Sequence, residues 1–410
     1  MTPRLMFISD YFRRHSAYAK VTYELATRSA NAGYKVAHTP ISRANQMGKQ
    51  EQEGVIVYPS GNDPFAEDII VRNYVDFHSN MLFAIKEPWI WKTVHKQALN
   101  FVPFSIIDHS PVSPAITGRL RTAFRVVAIT RFGQRELKRE GISSTYIPHG
   151  VNTSVFKPLD RAKCRKLWFL DEDEFVVLIV AMNRARKNIP RMLRGYKLFC
   201  QQNPDVKTHL LLWTNVYPSR YPKEKSVLGV SDVGVSLLPE IMQLELGEQI
   251  RFPDEKTILR GIPDWIGDNY KDGYDMVKLY NCADVLLNCT GGEGFGLNLV
   301  EAQACGCPVV TTDYAGGVEQ VGCGLTVPWD DYVIYNTPGV RRPLANLGKM
   351  ADALTKIMSG DREKLTRKAR SFSLRYEWSN IMQSHFLPFL QECEEELYPL
   401  VIKTGVKSWA

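Results

Sequence analysis

The sequence predicts an α/β protein built on parallel sheets in more than one domain, and three observations carry that expectation. The first is a run near residue 290. The apolar stretch Val285-Leu286-Leu287 leads into Gly291-Gly292-Glu293-Gly294-Phe295-Gly296, with four glycines in six residues. A helical stretch follows and stops at Gly306 and Pro308, before a second apolar run from Val309 to Thr312. Strand, glycine loop, helix, stop and strand make one turn of a parallel α/β sheet. The second observation is the same alternation at the start of the chain. Leu5 to Ile8 reads as a buried strand, Ala17 to about Ala32 as a helix closed by Gly33, and Tyr34 to Ala37 as the next strand. The third is length, since 410 residues are too many for one ordinary core and imply two or three domains.

Composition narrows the class. A hydrophobic content of 44% and a charged content of 23% are those of a soluble globular protein. No apolar run approaches the ~18 residues a membrane helix needs. Arg4 and Asp10 flank only a short apolar run, which does not read as a signal peptide, so a cytoplasmic protein is expected. The eight cysteines are scattered. Cys305-x-Cys307 has no second Cys/His pair at ligand spacing, and buried free thiols are the expectation. A net charge of +7 permits an anionic partner without demanding one.

Taken in order, Val55 to Tyr58 reads as a strand and the aromatic-rich stretch Phe77 to Trp91 as one or two helices. Phe101 to Ile107 is a strand that ends in Asp108-His109-Ser110-Pro111. His109 therefore stands at the carboxyl end of a strand, where ligands of open α/β sheets gather. Arg125 to Thr130 is another strand, leading to a helix from Phe132 to Glu140. Between Arg119 and Glu140, seven Lys/Arg stand against two acids. That run is either a solvated helix face or a surface for anionic lipid head groups or another acidic acceptor. A linker is expected between about 152 and 173. Asp171-Glu172-Asp173 precedes a strand instead of following one, and reads as a solvated turn.

The next strand, Phe175 to Ala181, runs into Asn183-Arg184-Ala185-Arg186-Lys187-Asn188 and a helix to about Cys200. Three cations in four residues at the end of a central strand call for an anion or for solvent. Lys207 to Trp213 is a strand, and Tyr217 to Gln249 reads as an insertion or lid. Met276 to Cys282 is a short helix feeding the glycine run. From about Leu344 the chain reads as helical, with a long last helix from Trp378 to Leu397.

The glycine run carries the chemistry. Glycines let backbone approach a ligand closely, and the helix start beyond them offers unpaired N–H groups and partial positive charge, so phosphate is the natural occupant. Glu293 and Glu301 flank it. If both were helical, eight steps would bring them within roughly 80° of one face and ~12 Å apart. Such carboxylates suit hydroxyls at both ends of an extended ligand whose phosphates rest on the glycines, which is the layout of a nucleotide-sugar. The plainer alternative is that Glu293 caps a helix and Glu301 faces solvent.

Glu293-Gly294-Phe295-Gly296-Leu297, a second acid at Glu301, and Ala302-x-Ala304-x-Gly306-x-Pro308-Val309-Val310 resemble the signature of the retaining GT-B glycosyltransferases (glycosyl transferases group 1). That family includes many mannosyl- and glucosyltransferases and sucrose-phosphate synthase. The resemblance implies a GT-B fold, with two Rossmann-like domains facing across a cleft. They would span residues 1–155 (acceptor side) and 170–378 (donor side), with 379–410 a C-terminal helix packing back on the first domain. It implies a nucleotide diphosphate sugar as donor and no cofactor or metal. Arg184 and Lys187 would hold the donor diphosphate, with Arg186 able to replace either. Gly294, Phe295, Gly296 and Leu297 would form the donor loop. Glu293 would orient the sugar, Glu301 would take the ribose hydroxyls, and His109 would touch the sugar from the opposite domain. Asp264 to Asp268 lies where the family recognises the base, without a specific match. Gly316-Gly317-Val318-Glu319 resembles a structural turn of the family. One departure stands out: the usual Gly-Gly pair after the first strand is replaced by Ser16-Ala17-Tyr18-Ala19.

The implied reaction is retaining transfer of a sugar to an acceptor hydroxyl on a glycan, a lipid-linked molecule or a small molecule. Its difficult event is departure of the nucleotide diphosphate, stabilised by Arg184, Lys187 and the helix start. Peripheral contact with an anionic membrane is part of the expectation, and nucleic acid is not an expected partner. The alternatives are a non-catalytic sugar-nucleotide-binding protein, should the missing Gly-Gly have cost activity, and a transferase acting on modified nucleic acid, favoured only by the positive charge. Phosphorolysis with pyridoxal phosphate needs a lysine Schiff base, and nothing in the sequence resembles that site. Glu301→Ala and Lys187→Ala are expected to weaken donor use while leaving the fold intact.

Overall fold

Two parallel sheets and one hairpin organise the chain in a computed structural model that describes residues 3–12, 16–42, 48–217, 232–252, 276–335 and 340–397. The first sheet is built from β1 (Arg4–Ser9), β2 (Lys35–Pro40), β3 (Gln50–Gln52), β4 (Val55–Val57), β5 (Met81–Ala84), β6 (Phe101–Ser105), β7 (Val127–Ala128) and β8 (Thr145–Tyr146). Its strand order is β3-β4-β2-β1-β5-β6-β7-β8, parallel throughout except for β3 against β4. Leu5, Met6, Phe7 and Ile8 are fully buried, as expected of a parallel strand covered by helices on both faces. The helix α1 (Ala17–Asn31) connects β1 to β2, and the Ser16 hydroxyl caps it by accepting the Ala19 N–H at 3.1 Å.

The stretch 77–91 departs from its expected helices. It holds β5, which pairs with β1 on one side and β6 on the other. Met81, Leu82, Phe83 and Ala84 are fully buried, and a four-residue apolar run has no period to distinguish strand from helix. The helix of this region lies earlier, in α2 (Ile70–Asp76).

The helices α3 (Pro114–Leu120) and α4 (Arg131–Arg139) complete the first lobe, and α5 (Arg161–Lys166) follows in the stretch expected as a linker. Arg165 of α5 is fully buried, bonded to the carbonyls of Asp171, Glu172, Glu174 and Cys282 and paired with Asp284 at 2.7 Å. The second sheet comprises β9 (Phe175–Val180), β10 (Thr208–Trp213), β11 (Ile250–Arg251), β12 (Val285–Asn288), β13 (Val309–Thr312) and β14 (Gly324–Val327), in the order β11-β10-β9-β12-β13-β14. Its described helices are α6 (Ile189–Gln202), α7 (Leu238–Gln243), α8 (Met276–Cys282) and α9 (Leu297–Ala304). An antiparallel hairpin, β15 (Trp329–Tyr335) and β16 (Val340–Ala345), comes next and was not foreseen; the expected helices begin only after it, with α10 (Leu347–Met358) and α11 (Arg362–Ser373).

The last helix runs through α12 (Trp378–Ile381), a π turn over Met382–Phe386, and α13 (Leu387–Leu397). The π turn lies just before Pro388, which has no N–H to continue the ladder. This helix packs on the first sheet: the Phe386 ring lies 5.5 Å from Phe83 and 6.2 Å from Phe104, and Arg125 pairs with Glu396. The crossover is tight, since a Cβ on Gly150 would meet the Trp378 ring at 2.4 Å and the Val151 N–H bonds to the Tyr376 carbonyl at 2.7 Å.

Candidate active site

In the second sheet β9 and β12 lie side by side with β10 and β13 on their outer flanks, so the connections leave in opposite directions at this point. A crevice opens at the carboxyl ends of such a strand pair. The segment after β9 supplies Arg184, Arg186 and Lys187, and the segment after β12 supplies the glycine loop. The two loops are tied by the Gly291 N–H, which donates to the Arg186 carbonyl at 2.8 Å.

Glu293 is buried there. Its Oε1 accepts from Lys187 Nζ at 2.6 Å and from Asn288 Nδ2 at 3.3 Å. Burial opposes its charge, but the Lys187 and Arg186 cations beside it hold the carboxyl below its usual range. Lys187 in turn is pushed down by burial, with Glu293 opposing the shift. Arg186 is held up, because Asp108, Glu293 and Asp232 outweigh the effect of its burial. Of the two arginines it is Arg186 whose charge reaches Glu293, while the Arg184 guanidinium meets the Asp232 carbonyl at 3.5 Å.

Glu293 lies outside the helix. It pairs as an isolated bridge with Ala315, and its carbonyl accepts the Gly316 N–H at 3.0 Å. The helical-wheel relation between the two acids therefore does not apply. Gly296, at φ +89°, turns the chain into α9, of which Leu297 is the first residue. Glu301 is in the second turn and only 3% exposed. Its Oε1 pairs with Lys20 Nζ of α1 at 2.5 Å, and its Oε2 accepts from the Tyr280 hydroxyl at 3.2 Å. One acid thus faces the cations after β9, and the other faces the first lobe.

The first lobe closes directly on the glycine loop. Gly292 has φ +129°, and a Cβ there would fall 2.4 Å from the Asp108 carbonyl oxygen. A Cβ on Gly294 would fall 2.3 Å from the Ile106 side chain. Phe295 is buried, with its ring 5.1 Å from His149 and 5.9 Å from Tyr376. His109 is buried at the end of β6; its Nδ1 lies 2.7 Å from Asp108 Oδ1, and its Nε2 accepts the Ser113 N–H at 3.3 Å. Those partners assign the neutral Nδ1–H tautomer. Asp108 is also held by Arg342 of β16, with Nη1 3.0 Å from Oδ2 and Nη2 3.2 Å from Oδ1. Burial works against the Asp108 charge, but Arg342, His109 and Arg186 hold its carboxyl far below the usual range.

The place of the missing Gly-Gly pair is filled by side chains. Ser16 donates to Asp10 at 2.5 Å, Lys86 pairs with Asp10 at 2.9 Å, and the Tyr18 hydroxyl bonds to Glu87. Gly316–Gln320 forms a 3-10 turn, and Glu319 in it reaches the first lobe, where it accepts the Arg131 and Phe132 N–H groups at the start of α4. Lys20, Tyr280, Asp108 and Arg342 were given no role in the sequence, and Glu319 was read only as part of a structural turn. Asp108, next to His109, and Glu319, after Gly316-Gly317, carried a local signal. Asp171 pairs with the exposed Lys207 at 2.5 Å, as a surface turn does. Asp264 to Asp268 lies outside the described residues. Among the described residues no three His, Cys, Asp or Glu side chains are grouped to share a metal, and no helix is long and apolar enough to cross a membrane. A depression of about 940 Å³ between Arg121, Arg125, Ser144 and Glu396 shares none of the site residues.

A family model described as glycosyl transferases group 1 matches residues 264–336. Among curated proteins, the D-inositol 3-phosphate glycosyltransferase of Saccharomonospora viridis is 28% identical over 231 residues, covering 56% of this chain and 46% of that protein. The protein of the same name from Acidothermus cellulolyticus is 25% identical over 248 residues, covering 58% and 45%. The chain spans about half the length of these curated relatives. Among solved structures, sucrose-phosphate synthase from Thermosynechococcus elongatus superposes with a TM-score of 0.72 at 16% identity, covering 95% of this chain and 99% of that one. HepE from Anabaena, in complex with UDP-glucose, gives 0.65 at 16% identity, covering 96% and 100%. The shared fold is GT-B.

Proposed function

We propose that this chain, a relative of the group 1 glycosyl transferases by sequence and by its GT-B fold, is a retaining glycosyltransferase. It would move a sugar from a nucleotide diphosphate sugar to an acceptor hydroxyl. One observation carries the reading: two buried carboxylates, Glu293 and Glu301, flank a glycine loop and helix start that also face Lys187 and Arg186, at the junction of the two lobes. The lobes are taken as residues 1–155 and 170–378, with 379–410 crossing back.

In this reading the donor diphosphate rests on Gly294, Phe295, Gly296 and Leu297. It draws Lys187 away from Glu293, and Arg184 and Arg186 add charge beside it. The freed Glu293 carboxylate then takes sugar hydroxyls, and Glu301 takes the ribose. As the bond to the diphosphate lengthens, fixed cations and backbone N–H groups stabilise the developing phosphate charge without reorganising. His109, from the first lobe, faces the sugar. Closure of Ile106 and Asp108 onto the glycines excludes water and limits hydrolysis.

The test is a thermal-shift panel of nucleotide diphosphates and their sugars, because a ligand that binds only the native state raises its melting point. One base series should stabilise the protein, and no stabilisation by any member would overturn the reading. With the selected donor, NMR of the product should show the donor's anomeric configuration kept, and turnover should persist in EDTA. An acceptor on an anionic membrane is the finer proposal, resting on the cations of residues 119–140. Several are already engaged: Arg119 on the Trp91 and Ala115 carbonyls, Arg121 on the Glu140 carbonyl, Arg125 on Glu396 and Arg139 on Glu136. Sedimentation with anionic and neutral vesicles decides it, and equal binding to both would remove it.

A further inference from the structure

Arg342 stands where three parts of the site meet. It belongs to the hairpin β15–β16, yet its side chain is only 11% exposed. Its own Cβ would lie 3.0 Å from a Cβ on Gly291, and its Nη1 3.1 Å from one on Gly292, so it lines the glycine loop. From there it reaches the first lobe, donating to the Asp108 carbonyl at 3.0 Å and bracketing both oxygens of the Asp108 carboxylate. That carboxylate accepts the Nδ1–H of His109. A hairpin of the second lobe is thereby wired to an imidazole of the first.

We propose that Arg342 is a positioning residue: by pairing with Asp108 it holds His109 in the neutral Nδ1–H tautomer, so that Nε2 keeps the lone pair it would offer to a donor-sugar hydroxyl. The inference rests on the reading of His109 as sugar-facing. A carboxylate shared between a guanidinium and an imidazole is largely neutralised by the former. Once it loses that partner, it favours a second proton on the imidazole, and Nε2 turns from acceptor into donor. The other charged or titratable groups here do not replace Arg342. Arg186 acts on Asp108 from the second lobe, Glu136 of α4 takes the Ser110 hydroxyl at 2.6 Å, and the Tyr314 hydroxyl accepts the Ser110 N–H at 3.0 Å. The weak Ser113 N–H contact, at 3.3 Å, is the bond a sugar hydroxyl would replace at Nε2.

The experiment is a ¹⁵N–¹H titration of the histidine rings in the full chain without ligand, with His109 assigned by loss of its signal in His109→Gln. The wild type should show the Nδ1–H tautomer at neutral pH; an Nε2–H ring would overturn the proposal with no variant needed. In Arg342→Gln the His109 midpoint should rise by about half a pH unit or more, and Arg342→Lys should restore most of the difference. An unchanged midpoint in folded Arg342→Gln would also overturn it. With the donor chosen by the thermal-shift panel, Arg342→Gln should lower kcat about ten-fold with little change in donor KM, as expected for an interaction made in the transition state. Equal loss in both the Gln and Lys variants, without a ring shift, would reduce Arg342 to a structural role. A wild type that transfers no sugar but shows the Arg342-dependent ring shift would sink the transferase reading and leave the coupling.

Discussion

A lysine and a glutamate that neutralise each other inside a closed site cannot be removed one at a time. Lys187→Met would leave the Glu293 carboxylate buried with Asn288 and the nearby Arg186 charge, and losing one partner of a buried pair costs about 3 kcal/mol or more. This revises the expectation that a Lys187 truncation leaves the fold untouched. Urea unfolding should show the loss, and Lys187→Met/Glu293→Gln should recover most of the stability while staying inactive; a double variant no more stable than the single would contradict the pairing. The buried histidines make a second prediction. Burial holds His38 and His149 at about 3, against an ordinary 6.5. Folding therefore keeps both neutral, and the unfolded chain binds more protons below pH 6.5. Their contribution is complete above pH 6.5 and is lost as pH falls toward 3, at roughly 1.4 kcal/mol per pH unit for each. Among the described residues His149 Nδ1 has no hydrogen-bond partner, so His149→Leu should flatten the fall of stability between pH 6 and pH 4.5 by roughly 1 kcal/mol per pH unit, measured by urea unfolding at each pH. An unchanged slope would mean that His149 is not the group responsible. At this scale Glu293 and Glu301 stood out beside the glycine run, and Lys187 stood out through three cations at a strand end and the family resemblance. The sequence did not separate Arg184 from Arg186, since which cation turns inward depends on Asp232 and Asp108, distant in the chain.

Among the elements, the glycine loop was legible because its conformation restricts residue type, and its geometry makes a sharp prediction. Gly292→Ala meets two obstacles together, a φ of +129° and the Asp108 carbonyl 2.4 Å from the new Cβ. Strain of this kind costs about 1–3 kcal/mol, and the cheapest relief is for β6 to draw away from the loop. The variant should melt lower, show a larger radius of gyration by small-angle X-ray scattering and bind donor weakly; Gly118→Ala, where nothing among the described residues lies within 4 Å of the new Cβ, is the control. An unchanged radius and donor affinity would mean that the loop tolerates a methyl group. The elements that escaped the sequence did so for different reasons. β5 is four apolar residues with no period, and only its place between β1 and β6 makes it a strand. The hairpin β15–β16 packs Trp329 against Tyr314, 6.3 Å between ring centroids, and carries Arg342 to Asp108. Its importance comes from a contact across more than two hundred residues, which no local pattern encodes.

For the molecule as a whole, the two lobes meet through polar contacts as well as apolar ones: Lys20 with Glu301, Arg342 with Asp108, and Glu319 on the first N–H groups of α4. Interfaces between domains of one chain are usually polar enough to open and close. Of these contacts the Lys20–Glu301 pair is the one placed to couple closure to the donor. Glu301 is 3% exposed, and its two oxygens are taken by Lys20 from the first lobe and Tyr280 from the second. Burial pushes Lys20 down while Glu301 opposes the shift, so the ammonium depends on its partner as much as the carboxylate does. In Lys20→Met the carboxylate keeps, among the described residues, only the Tyr280 hydroxyl while closed, a buried charge without its cation worth several kcal/mol. Water can reach it if the lobes part, so the variant should relieve that cost by opening rather than by unfolding. The expected outcome is a larger radius of gyration without ligand, a melting temperature close to that of the wild type, and donor affinity about ten-fold weaker, since only the closed fraction binds. Lys20→Arg should keep the compact form. If Lys20→Met instead scatters like the wild type and binds donor equally well, closure is set by the other two contacts. If it melts far lower with no change in radius, the pair serves the fold rather than the motion.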